Sequence, residues 1–73
     1  MKMHERKKIA RAHSIGPKMI QWIEAAGYKR LDEFRGQNTN DVAFRIEIET
    51  GIKMNGNAIK ALQNLIDHAE ASA

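Results

Sequence analysis

Between residues 13 and 18 the chain reads His13-Ser14-Ile15-Gly16-Pro17-Lys18, and residue types in that order suit the holding of an anion. Small residues at 14 and 16 allow a tight turn and a close approach to the main chain. Pro17 fits the first turn of a helix, where the amide hydrogen it lacks would have no partner. A helix that starts there leaves its first amides unpaired, and together with the helix dipole they favour a phosphate. Ile15, between the small residues, is predicted to point inward and lock the flanking helices together. Lys18, one turn into the second helix, supplies a direct charge.

Positive charge gathers around this segment. Residues 1–30 hold eight Lys and Arg against two acids, a net of +6, whereas residues 31–73 hold four against seven, a net of −3. Arg6, Lys7, Lys8 and Arg11 precede the turn, and such clustering is the footprint of a polyanionic partner. The candidate nucleic-acid-binding residues are therefore Ser14, Ile15, Gly16, Lys18, Arg11, Lys7 and Lys8, acting on the phosphate backbone without reading base sequence. The alternative makes the turn a purely structural corner, with another polypeptide or a second copy of this chain as the partner.

Other chemistries lack their residues. His4, His13 and His68 have no histidine or carboxylate partners at the spacing metal-binding helices use, and with no cysteine there is neither a thiolate metal site nor a disulfide. Asp32-Glu33 lie in a short turn, and Glu47 and Glu49 point apart on a helix, so neither pair converges on a cleft as general acid and base must. No Ser-His-Asp set, phosphate-loop motif or dinucleotide fingerprint occurs. The expectation is a protein with no catalytic activity, cofactor, metal or small-molecule substrate. Its apolar runs fall far short of the roughly 20 residues a membrane span needs, and no apolar stretch follows the basic start. A soluble, cytoplasmic protein fits.

Five segments must position these residues. At 73 residues the chain has room for one domain, 1–73, with an ordered core over about 4–69. A first helix is predicted from about Lys2 to Ala12, with Ile9, Ala12 and Met3 inward. A second runs from Pro17 to about Ala26, with Ser14 or Gly16 at its start and Gly27 as its left-handed stop. Met19, Trp22, Ile23 and Ala26 form its inner stripe, so Trp22 is read as core rather than as a partner anchor. Leu31 and Phe34 bracket one helical turn before Gly36. Asp41–Thr50 is ambiguous: Phe44 to Glu49 alternates as a strand would, whereas Val42, Ala43, Ile46 and Thr50 trace a helical stripe. Helix is favoured because a lone strand has no partner and Gly51 stands as a stop, with Asn40 or Thr39 as the cap. After a loop at 52–57 with Asn57 as cap, a last helix runs to about Ala69. It carries Ile59, Leu62, Ile66 and Ala69 inward, with Leu65 beside them, and Ala71 to Ala73 form a fraying tail. All four aromatic residues, Trp22, Tyr28, Phe34 and Phe44, are assigned to the core or its rim.

The turn resembles the helix-hairpin-helix motif, with Ile9, Ile15, Gly16, Ile20 and Ile23 at matching positions. Over residues 9–69 the order of features is similar to that of the pathogenicity-locus family of small bacterial helix-hairpin-helix proteins. That similarity rests on Ser14-Ile15-Gly16-Pro17, Ala26-Gly27-Tyr28, Phe34-Arg35-Gly36, Arg45-Ile46 and Thr50-Gly51. The carboxy-terminal domain of the competence regulator family carries a similar Ile-Gly-Pro-Lys hairpin. The resemblance implies a compact all-α, SAM-like fold of four to five short helices and, for the wider helix-hairpin-helix class, sequence-independent contact with nucleic-acid phosphates, DNA first, through hairpin amides. Ser14 departs from the pattern by standing where the stronger DNA-binding motif has its first glycine.

Overall fold

A computed structural model describes residues 1–72. Its elements follow the punctuation of the sequence: α1 (Met3–Ala10), α2 (Pro17–Ala25), a 3-10 helix (Leu31–Phe34), α3 (Thr39–Thr50) and α4 (Gly56–Ala71). The described residues contain no strand and no helix long and apolar enough to cross a membrane.

Helix α1 is shorter than Lys2 to Ala12, because Arg11 and Ala12 already donate backwards by three residues, to Lys8 and Ile9. Its inward line is Glu5, Ile9 and Ala12. Met3, expected to join that line, is 65% exposed; two residues of helix turn it about 200° away from Glu5. Helix α2 begins with Pro17 behind Gly16 and stops at Gly27, whose φ is 95°. The stop closes as a Schellman motif, with Tyr28 N donating to Ile23 O at 3.2 Å and Gly27 N to Glu24 O at 3.0 Å. The 3-10 helix then tucks Leu31 and Phe34 inward, while the Glu33 carboxylate accepts from the Lys29 and Arg30 amides.

The ambiguous fourth segment is a helix, with Val42, Ala43 and Ile46 buried as the helical stripe requires. Phe44 is the exception to its aromatic assignment, since the helix turns it outward and leaves it 63% exposed. Both later caps sit earlier than the sequence reading placed them. Asn38 rather than Thr39 or Asn40 caps α3, its side chain accepting from Asn40 N and Asp41 N, and Asn55 rather than Asn57 caps α4 through Ala58 N. In each case an Asn further upstream reaches the free amides one turn ahead. Helix α4 also runs on to Ala71, and the Ser72 hydroxyl donates back to His68 O.

The buried side chains form one cluster to which every element contributes. Phe34, Ile9, Ile23, Ile46, Leu62, Leu65, Ile66 and Val42 are its most enclosed members. Trp22 packs against the edge of the cluster, and the Tyr28 and Phe34 rings lie 4.5 Å apart, tilted by 30°. Arg45 crosses from α3 to α2, donating from Nε to Ala26 O at 2.9 Å with its guanidinium 4.3 Å above the Tyr28 ring. A side chain at position 27 would meet that guanidinium at 2.9 Å as well as facing the positive φ. Gly27→Ala therefore lowers stability by about 1–2 kcal/mol, read as a reduced midpoint in urea denaturation.

Candidate nucleic-acid interface

The chain reverses between Arg11 and Gly16. Ile15, buried as predicted, donates from its amide to Ala12 O at 3.3 Å. Ser14 holds φ at 68°, the one non-glycine residue in the described chain with positive φ. That left-handed backbone costs serine about 1 kcal/mol. Ser14 is not the cap of α2. Gly16 fills that place, with φ at −102° and no side chain to offer.

Free amides follow from this cap. Ile20 N is the first to find a helical acceptor, Gly16 O at 3.2 Å, and the amides of Ser14, Gly16, Lys18 and Met19 have no hydrogen-bond acceptor among the described residues. Ser14, Pro17 and Lys18 are exposed and Gly16 is half-buried, so the outer side of the turn is open. Its inner side is braced by α4, where Asn64 Nδ2 donates to His13 O at 3.2 Å and His68 Nε2 lies 3.1 Å from Lys8 O. No Cβ contact within 4 Å would await a side chain at Gly16.

The basic side chains divide among several faces. Lys18 stands at the turn, its ammonium 5.8 Å from the centroid of the Trp22 ring. Lys7 is exposed and makes no ion pair among the described residues. Arg6 reaches across to α2 and meets Glu24 at 3.3 Å. Lys8 folds back to Glu5 at 3.1 Å and, with Arg11, Arg35 and His68, lines a shallow hollow that also holds Glu5 and Asp32. The structure therefore brings Ser14, Ile15, Gly16 and Lys18 together, with Arg11 at the edge of the turn. Lys8 and Arg11 share the hollow, and Arg6 belongs to a different side of α1.

The buried carboxylate of Glu5 was visible in sequence only as one acid among the bases. Its place one turn before Ile9 on the inward line was the available signal. Glu5 Oε1 accepts from Leu31 N at 2.9 Å, tying α1 to the start of the 3-10 helix. That amide, and then the Lys8 ammonium, hold its carboxyl below the usual glutamate range. A second unforeseen contact is Arg35, which donates from Nε to Ala69 O at 3.0 Å and so closes the carboxy-terminal end of α4. No cluster of His and acidic residues able to hold a metal occurs among the described residues.

Because the folded pKa of Glu5 lies below the unfolded one, its stabilisation is complete above the ordinary glutamate pKa and is lost as pH falls through the depressed value. Glu5→Gln keeps the shape but not the charge, so its melting temperature lies below wild type at pH 7, and the gap narrows as pH falls below the ordinary glutamate range. Parallel thermal melts across that range check this. Ser14→Gly removes the left-handed strain and raises stability by up to about 1 kcal/mol in the same assay. Compared with known proteins, the chain matches no family model, no curated protein and no solved structure.

Proposed function

We propose that this chain is a small helix-hairpin-helix module of SAM-like fold that grips the sugar-phosphate backbone of nucleic acid, DNA in the first instance, without reading its sequence. The observation that carries the reading is the start of α2, where the amides of Gly16, Lys18 and Met19 lack acceptors behind an open turn with Lys18 beside it. Amides so disposed at a helix start complement a phosphate. The resemblance of the turn to the wider helix-hairpin-helix class supports the same reading, as does the burial of Ile9, Ile15, Ile20 and Ile23, the apolar positions of the motif. Arg11 adds charge at the edge of the turn, Lys7 adds it from the exposed side of α1, and Lys8 contributes once it exchanges Glu5 for phosphate. The role is one of binding in the cytoplasm, with no catalysis assigned.

Contacts to a few phosphates give weak affinity, on the order of 10⁻⁴ to 10⁻⁶ M. For two or three neutralised phosphates, the slope of log affinity against log salt is roughly −2 to −3 on duplex DNA. Amide NMR during titration with an arbitrary duplex tests the reading. The signals of residues 14–19 move first, Lys18→Glu abolishes binding, and Gly16→Ala keeps the fold while weakening binding by crowding the free amides. Shifts confined to the chain ends, or undiminished binding by both variants, reject it.

The second reading is an accessory domain that docks to protein, with the turn serving as a joint. It is favoured by one observation, the exposed apolar line on α3 formed by Phe44 and Ile48.

A further inference from the structure

Trp22, the sole tryptophan, lies one helical turn after Lys18 on α2 and is half-buried. Its indole packs against the edge of the core cluster, and the exposed Lys18 side chain lies over the ring with its ammonium 5.8 Å from the centroid. The ring face turned away from the core therefore sits beneath a solvated lysine. Glu24, the one acid on α2, falls about 200° from Trp22 around the helix and is held on that other flank by Arg6 at 3.3 Å. Lys18 and Trp22 thus share a side of α2 to which the helix brings no negative charge.

A cation beside an aromatic face offers what one nucleotide needs, a charge for its phosphate and a π surface for its base. Magnitudes decide whether the lysine or a base keeps the ring. A cation–π contact at an exposed site favours the bound ammonium only about two- to fivefold, and 5.8 Å is close to the outer limit of roughly 6 Å for such a contact. Stacking of one base on an aromatic side chain raises affinity about five- to 150-fold. Exchange of the ammonium for a base is therefore favourable, and it releases Lys18 to meet the phosphate of the same nucleotide.

We propose that Trp22 and Lys18 form a stacking site for one unpaired nucleotide, so that this chain prefers single-stranded to duplex nucleic acid. In a duplex each base is already paired and stacked on both faces, and flipping one out to reach Trp22 consumes the gain from stacking. A single strand presents its bases without that cost. Stacking reads no base edge, so the site is indifferent to sequence. The inference rests on the nucleic-acid reading above and deepens it by naming the form of strand that is bound.

Intrinsic fluorescence tests this directly, because all tryptophan emission comes from position 22. The whole chain is titrated at about 50 mM salt with three probes of about 12 units: an oligothymidylate single strand, a mixed-sequence duplex, and an abasic strand carrying the same phosphates. The expected result is quenching by the single strand alone, with an affinity roughly tenfold above that for the duplex or the abasic strand. Trp22→Leu retains its helical circular dichroism, loses roughly tenfold in affinity for the single strand, and binds the duplex as before. Trp22→Phe keeps a ring and most of the preference. The three probes on the unaltered chain decide the matter even where a variant fails to fold. Equal affinity for all three, or quenching by the abasic strand as strong as by the oligothymidylate, overturns this inference and leaves the phosphate reading standing. Binding of none of them overturns both.

Discussion

Everything in this fold leans on the apolar side of α4. None of the other helices is long enough to hold its shape alone in water, where isolated helices below about 12–15 residues are marginal. Leu62, Leu65, Ile66 and Ala69 supply the wall against which the 3-10 helix and α3 are laid. Polar contacts from the margin of the same helix reach the α1 end of the chain, through Asn64 to His13 O and His68 to Lys8 O. Removing that wall would open the inward sides of α3 and the 3-10 helix to water.

The turn at 12–16 shows how geometry and chemistry separate at a single residue. Ser14 adopts the left-handed backbone that glycine would take without strain, so the reversal does not require glycine there. Gly16 is the converse, with a φ that any residue can adopt and open space around it. Backbone strain is therefore carried at 14, whereas neither φ nor space demands glycine at 16. The site and the scaffold are set by neighbouring residues with different constraints.

Much of this was legible in the sequence because its signals were local. Pro17, Gly27 and Gly51 punctuate helices through φ alone, and the stripes of α2 and α4 repeat at helical spacing. The caps shifted because several Asn and Thr residues crowd each helix start, and hydrogen-bond reach, not residue type, selects among them. Phe44 was misplaced because an aromatic residue suggests burial until the helix phase is known; once Val42 and Ile46 face inward, position 44 has to face out. The division of the basic side chains was hidden for another reason. Lys8 and Arg6 are committed by Glu5 and Glu24, and the second of those pairings exists only after α1 folds back along α2.

The hydrogen bond from Asn64 to His13 O joins residues 51 apart in the chain. The turn is therefore complete only when the last helix has docked, although its own residues leave the ribosome first. Loop-closure entropy has to be overcome before this brace can form, which sets the final shape of the reversal late on the folding route. A nascent or truncated chain lacking α4 would carry the same turn residues without the brace that Asn64 gives them.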